Sequence, residues 1–194
     1  MESKRAHSGI DGLDEILRGG LPRNRIYLVQ GLPGTGKTTL ALQFLLQGAK
    51  DGERGLYIAL SECQDEIQEV ALSHGWDLSG IGIFTLSSAQ QLVTPENQNT
   101  VFKTATVELT ETETLLCERI KLSRPARVVI DSLSEVRLLA AEPWVYRQQL
   151  LRLKDFLNLL NVTTLFLEVT VKEMSEAESP VYISSEMPFR SKAP

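Results

Sequence analysis

Residues 31–38, GLPGTGKT, constrain the fold of this chain more than any other segment. They match the spacing of glycine, four residues, glycine, lysine and serine or threonine that defines a P-loop. The apolar, β-favouring run IYLVQ (26–30) precedes the motif, and KTTLALQFLLQGA (37–49), rich in helix formers, follows it. The sequence therefore predicts a phosphate-binding loop between a buried strand and a buried helix.

The residue types of this segment suit a loop that wraps around phosphate groups. Glycine has no side chain, so Gly31, Gly34 and Gly36 allow backbone N–H groups to approach a phosphate closely. We expect the Lys37 ammonium to contact the β- and γ-phosphates and the Thr38 hydroxyl to bind Mg²⁺. The alternative is a purely structural glycine turn. With ATP and Mg²⁺ as the expected ligands, the candidate binding residues here are Gly31, Pro33, Gly34, Thr35, Gly36, Lys37, Thr38 and Thr39.

A second anchor for Mg²⁺ is expected at the end of another apolar strand. The run RVVIDS (127–132) supplies Asp131 after three aliphatic residues, and we interpret it as the Walker B acid. Ser132, which follows directly, is expected to help hold water or the γ-phosphate. The alternative is an aspartate that merely ends a strand or caps the next helix. The sequence thus predicts Thr38 and Asp131 as the metal-binding pair.

Glu62 is the candidate residue for activating water. It lies just past the strand-like run GLYIAL (55–60). Ligands of parallel sheets gather at the carboxyl ends of the strands, where the P-loop and Asp131 are also expected. Glu62 could therefore act as a general base or position a water molecule, with Lys37 as its catalytic companion. The alternative is a surface glutamate that begins a helix.

Short apolar segments alternate with helical ones along most of the chain. Strands that are apolar throughout favour a mostly parallel sheet covered by helices on both faces, which is the α/β class. A chain of 194 residues is expected to form one domain, 1–194. The predicted strands are 26–30, 55–60, 82–86, 127–131 and 162–167, and the predicted helices are 37–49, 66–74, 107–122 and 146–160.

Three further segments carry structural predictions. The helix 146–160 places Leu150, Leu153, Leu157 and Leu160 on one stripe that is expected to pack against the sheet. Residues 87–106 are polar and are predicted to form a long excursion between strand and helix. Residues 172–194 are predicted to be a loosely packed tail.

Composition argues against several classes of partner, although a local basic patch stays possible. The net charge is −5, which does not favour nucleic acid or acidic lipid. No apolar stretch approaches the length of a membrane span, and residues 1–7 are charged without an apolar run behind them, unlike a signal peptide. Cys63 and Cys117 lie far apart in sequence, without CxxC spacing or a nearby histidine pair, so they suggest neither a zinc site nor a disulfide framework. We expect a cytoplasmic protein that binds neither membranes nor nucleic acid.

Several segments with little chemistry of their own make a family resemblance specific. HSGIDGLD (7–14) with RGGLP (18–22) precedes the P-loop, GWDL (75–78) follows the second predicted helix, and SLSE (132–135) follows Asp131. These runs resemble the KaiC family, the ATPases of the circadian clock, within the RecA-like superfamily. The resemblance covers most of the chain. It implies a RecA-like fold, ATP hydrolysis with Mg²⁺ and a homohexamer that could have further protein partners.

The sequence departs from the family pattern at three places. The family usually has paired glutamates after the second strand, where this chain has Ser61 and Glu62. The family also places polar residues that sense the γ-phosphate after the strand matching 162–167, where Glu168 and Val169 follow here. RecA-like domains continue further, so the resemblance implies a C-terminally shortened domain. We assign no role at a neighbouring subunit's nucleotide to Arg190 or Lys192.

Three functional hypotheses follow. The first is an ATPase that drives conformational or assembly changes, with serine or threonine autokinase activity as an extension. The second is a nucleotide-dependent switch or interaction module that does not hydrolyse ATP, favoured by the single acid at Glu62. The third is a DNA recombinase of the RecA or RadA type, which requires a basic DNA-binding surface that this acidic chain does not suggest.

Overall fold

Seven strands and six helices lie within residues 5–86, 105–140 and 142–170, which are the residues that this computed structural model describes. The strands are β1 Arg5–Ala6, β2 Leu21–Pro22, β3 Ile26–Gly31, β4 Gly55–Ala59, β5 Ile81–Thr85, β6 Arg127–Asp131 and β7 Thr163–Val169. The helices are α1 Asp11–Ile16, α2 Lys37–Lys50, α3 Gln64–Ser73, α4 Ala105–Ser123, α5 Leu133–Leu139 and α6 Pro143–Leu159. The excursion expected at 87–106 lies almost entirely outside the described residues, as does all of the tail expected at 172–194.

The five longer strands form one parallel sheet with the order β3-β7-β6-β4-β5. This confirms the predicted α/β class, and each predicted strand corresponds to one strand of the sheet. The bounds of β6 are the predicted ones, whereas β7 continues two residues further, to Val169. Because every strand runs in the same direction, all five carboxyl ends lie along one edge of the sheet.

Helices cover both faces of this sheet. Alternate residues of a strand point to opposite faces, so Val129 packs against α2 and α3 while Val128 and Ile130 pack against α4, α5 and α6. Each face has its own apolar cluster, and β4 and β6 are buried along their whole length. Strands that bury both faces need apolar residues at every position, which is why they lack polar alternation in the sequence.

Four short elements and one exposed leucine were not predicted. β1 and β2 pair as a two-residue antiparallel ribbon, and α1 and α5 span six and seven residues. Elements this short show too few repeats to reveal a period in the sequence. In α6, Leu150, Leu153 and Leu157 are buried as expected, but Leu160 follows the end of the helix and is 38% exposed. The predicted leucine stripe is therefore one residue too long.

A buried arginine holds the amino end of β6. The Arg127 side chain has no exposure, and its Nε donates to Glu53 Oε2 at 2.6 Å. Its Nη1 donates to the carbonyls of His7 and Phe44, at 2.6 and 2.8 Å, and its Nη2 to Asp51 Oδ2 at 3.0 Å. A buried guanidinium is tolerated only when it is paired in this way. The network thereby fastens the carboxyl end of α2 to the sheet.

The same network fixes the charge of Glu53. Burial alone would raise the pKa of Glu53, but hydrogen bonds from Arg23 and Arg127 lower that pKa below its usual value. Glu53 therefore stays ionised beside the two guanidinium groups at neutral pH.

None of the helices in the described ranges has both the length and the hydropathy that crossing a bilayer requires.

Replacing Gly48 by alanine should destabilise the fold. A Cβ atom at Gly48 of α2 would lie 2.7 Å from both Cδ and Nε of Arg127, which its hydrogen bonds hold in place. Gly48→Ala should therefore lower the free energy of unfolding by about 1–3 kcal/mol, as overpacking does, although alanine is the better helix former. Chemical denaturation measures the change.

Gly12→Ala is the matched control, because Gly12 also lies in a helix. Apart from its chain neighbours and the backbone of its own helix, no heavy atom lies within 4 Å of the position that its Cβ would take. There we expect a neutral effect or a gain of up to about 1 kcal/mol from helix propensity. Equal stabilisation by both substitutions would show that Arg127 does not constrain position 48.

Candidate nucleotide-binding site

The predicted site residues meet at the carboxyl edge of the sheet. β3 ends at Gly31, where the P-loop begins, and β6 ends at Asp131. Ala59, the last residue of β4, pairs in register with Asp131, and the Leu60 N–H donates to the Asp131 carbonyl at 2.7 Å. Glu62 follows two residues later. The topology thus brings together three sequence segments that are up to 100 residues apart.

The P-loop has the backbone that its glycines predict. Gly34 and Gly36 have φ values of +76° and +83°, in the left-handed region that favours glycine. Apart from the glycine itself and its chain neighbours, no heavy atom lies within 4 Å of where a Cβ of either residue would be, so the loop borders open space. At Gly31 a Cβ would instead lie 2.7 Å from Thr35 Oγ1. Pro33 is exposed in the same loop. The loop therefore presents an open backbone surface of the kind that a phosphate group needs.

Lys37 lies across the base of this loop. Its Nζ donates to the carbonyls of Gly31 and Leu32, at 3.0 and 2.9 Å. The hydroxyl of Thr35 donates to the Leu32 carbonyl at 2.8 Å. An ammonium group has three N–H bonds that can rotate together toward new acceptors. The Lys37 ammonium group therefore lies at the loop, where it can exchange its carbonyl acceptors for phosphate oxygens.

Asp131 is the centre of a buried hydrogen-bonded cluster. Its Oδ2 accepts hydrogen bonds from Thr38 Oγ1 at 3.2 Å and from the Tyr57 hydroxyl at 2.5 Å. Burial raises the pKa of Asp131, while these two hydrogen bonds and the charge of Lys37 work against the rise. The pKa of Tyr57 is strongly raised by burial and by Asp131, so its hydroxyl stays protonated and donates.

The oxygen atoms of this cluster fit a magnesium ion. A threonine hydroxyl and an aspartate carboxylate are hard oxygen ligands, which Mg²⁺ prefers. They lie at the amino end of α2, next to the open loop, where a bound phosphate would share the ion. Thr38 and Asp131 are therefore the residues that would hold the metal, as the sequence predicts.

Glu62 lies close enough to this cluster for the charges of Asp131 and Lys37 to change its pKa. Its carboxyl is half-buried, and its pKa is raised from 4.5 to about 7. Burial is the largest cause, the negative charges of Asp131 and Glu66 add to it, and Lys37 lowers the pKa in part. Such a value is typical of a carboxyl that exchanges protons near neutral pH.

The raised pKa also links Glu62 to stability. Between pH 4.5 and about 7 the folded protein holds more protons at this group than the unfolded chain does. The stabilisation that protonated Glu62 gives is thus complete below pH 4.5 and is lost as the pH rises through about 7. When Glu62 ionises near neutral pH, the folded state loses this stabilisation. A carboxyl with such a raised pKa near a predicted metal site is a functional candidate.

Helix α3 does not use Glu62 as its cap. The cap residue is Cys63, and Glu66 accepts a hydrogen bond from the Cys63 N–H through Oε2 at 2.8 Å. This capping box satisfies the start of the helix without Glu62. Glu62 therefore directly precedes the cap residue of α3 without itself capping the helix.

Thr39 and Ser132 flank the cluster. Thr39 is half-buried in the first turn of α2, next to Thr38. Ser132 is buried at the N-cap position of α5, directly after Asp131, and the peptide bond between the two is cis. Both residues are adjacent to the metal-binding pair, and their roles toward a nucleotide stay predictions.

Glu168 occupies the place where the resemblance expects polar residues that sense the γ-phosphate. Its carboxylate forms an ion pair with Arg137 of α5 and accepts a hydrogen bond from Gln30 Nε2 at 3.3 Å. Burial raises the pKa of Glu168 despite the guanidinium of Arg137. Strand alternation directs Glu168 to the same face as Phe166, the face opposite to α2. Glu168 therefore links β7, β3 and α5.

Tyr57 is the member of the cluster that the sequence interpretation missed. It lies within the apolar run GLYIAL, where a tyrosine looks like ordinary core. A signal was present, because a buried tyrosine hydroxyl needs a polar partner. Tyr57 also lies on the same face of β4 as Ala59, the residue that pairs with Asp131.

Arg190 and Lys192 lie outside the described residues.

Comparisons with known proteins point to one family. A family model with the description "ATPase: KaiC" matches residues 6–183. A UPF0273 protein of Pyrococcus horikoshii is 33% identical over 178 residues, which cover 88% of this chain and 71% of the relative. A UPF0273 protein of Thermotoga maritima is 32% identical over 180 residues, covering 88% and 72%. The circadian clock oscillator protein KaiC 1 of Synechocystis is 37% identical over 173 residues, covering 84% of this chain and 31% of that protein.

Proposed function

Because this chain belongs to the KaiC family of ATPases, we propose that it binds ATP with Mg²⁺ and hydrolyses the ATP to drive conformational or assembly changes. The observation that supports this most is the hydrogen bond between Thr38 of the P-loop helix and Asp131 of β6. It joins the phosphate-binding and metal-binding segments at one edge of the sheet, with Glu62 beside them.

Binding is assigned to the residues around the P-loop. The backbone N–H groups of residues 31–37 and the positive end of α2 receive the phosphates. Lys37 exchanges its two carbonyl partners for phosphate oxygens, and Thr38 and Asp131 hold the metal. Thr39 supports the loop or the α-phosphate, and Ser132 helps to hold water or the γ-phosphate. Magnesium, when bound, neutralises charge on the β- and γ-phosphates.

Hydrolysis is assigned to Glu62. A water molecule attacks the γ-phosphorus, the bond from that phosphorus to the bridging β-oxygen breaks, and ADP and inorganic phosphate result. Glu62 orients the water and accepts its proton, for which the carboxyl must be ionised. Its pKa of about 7 makes it half-ionised and correspondingly basic near neutral pH. Ser61 stands where the family usually has a second glutamate, so no acidic residue directly precedes Glu62 in the sequence.

Assembly and phosphorylation extend this proposal. The family resemblance supports a homohexamer and protein partners in the cytoplasm, and it supports serine or threonine autokinase activity only as a further extension. The chain spans about a third of the KaiC clock protein that it matches. Labelled ATP tests the kinase extension, which fails if no phosphate is transferred to the protein. The net charge of −5 gives no support to a DNA recombinase.

A switch that binds ATP without hydrolysing it is the second candidate. It is favoured by Ser61, which removes one of the two acids that the family usually has at this place. This candidate shares the P-loop and the metal-binding pair with the first and differs only in turnover. It predicts tight binding with no phosphate release.

Removing the Lys37 ammonium should weaken ATP binding. Lys37→Ala deletes a charge-assisted contact of roughly 1.5–3 kcal/mol, which corresponds to an affinity loss of about 10- to 150-fold. Calorimetry with ATP and Mg²⁺ measures the loss. Lys50→Ala is the matched control, because Lys50 ends the same helix away from the loop and is exposed. Equal affinities for the two variants would contradict the assigned loop.

Removing the charge of Glu62 should stop turnover while ATP still binds. Glu62→Gln is expected to slow phosphate release by about 10²- to 10⁴-fold, the usual contribution of a general base. In the parent, kcat/KM should rise with pH through about 7 because only the ionised carboxyl accepts a proton. Phosphate release from pH 6 to 9 measures both effects.

Glu69→Gln is the control for this experiment. Glu69 lies in the same acidic groove of α3 as Glu62 and Glu66, but it is not among the causes of the raised pKa of Glu62. It should leave turnover and its pH profile unchanged. Turnover that persists in Glu62→Gln would remove Glu62 from the mechanism, whereas binding without turnover in the parent would favour the switch.

A further inference from the structure

The Tyr57 hydroxyl is a buried polar group that neither the binding role nor the hydrolytic role described above uses. The residue is fully buried in the middle of β4, and its hydroxyl donates to Asp131 Oδ2 at 2.5 Å. The bond connects two neighbouring strands through side chains, 74 residues apart in the sequence. A phenylalanine would fill the same apolar space without the hydroxyl, so packing alone does not account for a tyrosine here.

The strand register explains how the hydroxyl reaches the edge of the sheet. Tyr57 pairs with Val129, and Ala59 pairs with Asp131. All four residues point to the face that α2 covers. Ala59 carries only a methyl group, and so the phenol ring of Tyr57 can extend beside it to the carboxylate of Asp131. The small residue and the long residue together make the contact.

Tyr57 and Thr38 donate to the same oxygen of Asp131. Within the described residues, hydrogen bonds to Oδ2 come from these two hydroxyls, and Oδ1 receives none. The hydrogen of the Thr38 hydroxyl is directed at Asp131, which leaves the lone pairs of its oxygen for another partner. The carboxylate is thereby held in one orientation from a side that α2 and β4 bury.

We propose that Tyr57 is a positioning residue that fixes the Asp131 carboxylate, and through it the Thr38 hydroxyl, for a divalent cation bound together with the nucleotide. This inference rests on the proposed function and adds a residue to it. Groups that orient metal ligands usually change metal affinity by about 10- to 100-fold when they are removed. Tyr57 acts through Asp131. Removing the Tyr57 hydroxyl should therefore reduce the gain in nucleotide affinity that Mg²⁺ gives, but it should not change the affinity of the P-loop for phosphate.

Nucleotide binding with and without metal separates these two effects. The affinity of a fluorescent ATP analogue is measured for the full chain and for Tyr57→Phe, once with Mg²⁺ and once with EDTA. We expect the two proteins to bind equally in EDTA. The gain in affinity on adding Mg²⁺ should be smaller in Tyr57→Phe than in the parent, by up to about 10-fold. Tyr57→Phe should also need a higher Mg²⁺ concentration than the parent to reach half of its gain.

Tyr27→Phe is the matched control. Tyr27 also donates a hydrogen bond through its hydroxyl, to the Pro22 carbonyl at 2.7 Å, but it has no contact with Asp131. It should bind like the parent in both conditions. A double-mutant cycle with Asp131→Asn adds a second check, because the effect of Tyr57→Phe on the magnesium-dependent gain should disappear when Asp131 is already changed.

The outcomes distinguish the inference from the function on which it rests. If the parent gains affinity with Mg²⁺ and Tyr57→Phe gains as much, the positioning role is wrong and the proposed function stands. If Tyr57→Phe loses affinity equally in EDTA and Mg²⁺, the residue is only structural and the inference again fails. If the parent shows no magnesium-dependent gain, both the metal site and the inference are overturned.

Discussion

The burial of β6 on both faces is the constraint on which the rest of this structure depends. A strand covered on both sides tolerates polar groups only at its ends, and each end of β6 has a buried charge, Arg127 and Asp131. At the amino end, carboxylates and carbonyls satisfy the guanidinium of Arg127. At the carboxyl end, two hydroxyls donate to Oδ2 of Asp131. The same helix, α2, contributes to both ends, so the network that anchors the helix also helps to fix where the P-loop ends.

Much of the fold could be predicted from the sequence, since strands buried on both faces and long helices show clear patterns. The five core strands and four long helices follow from apolar runs and helix formers. The ribbon β1–β2 and the helices α1 and α5 could not be predicted because elements this short contain too few repeats to reveal a period. The pairing of Arg127 with Glu53 spans 74 residues, and no local pattern signals it. Leu160 was assigned to the core only because the three-and-four spacing continues past the end of α6.

The candidate site likewise combines residues that the sequence predicts with contacts that it does not reveal. The P-loop and Asp131 are defined by motifs whose chemistry is local, so the sequence alone predicts them as candidate site residues. The contact of Tyr57 with Asp131 depends on the register of two strands, and the state of Glu62 depends on charges from three other elements. The departures from the family pattern also gain a physical meaning. Glu62 is a single acid in a half-buried setting, and Glu168 is committed to Arg137 and Gln30 on the opposite face of the sheet.

The central claim is that Lys37, Thr38, Asp131 and Glu62 form one site around a nucleotide and its metal. A crystal structure of the chain with Mg²⁺ and a non-hydrolysable ATP analogue tests it most directly. The account predicts Lys37 Nζ on the β- and γ-phosphates, Mg²⁺ at about 2.1 Å from Thr38 Oγ1, Asp131 beside the ion, and the Glu62 carboxylate within hydrogen-bond reach of water near the γ-phosphorus. Phosphates bound away from residues 31–38, or a Glu62 carboxylate directed away from the γ-phosphate, would contradict it.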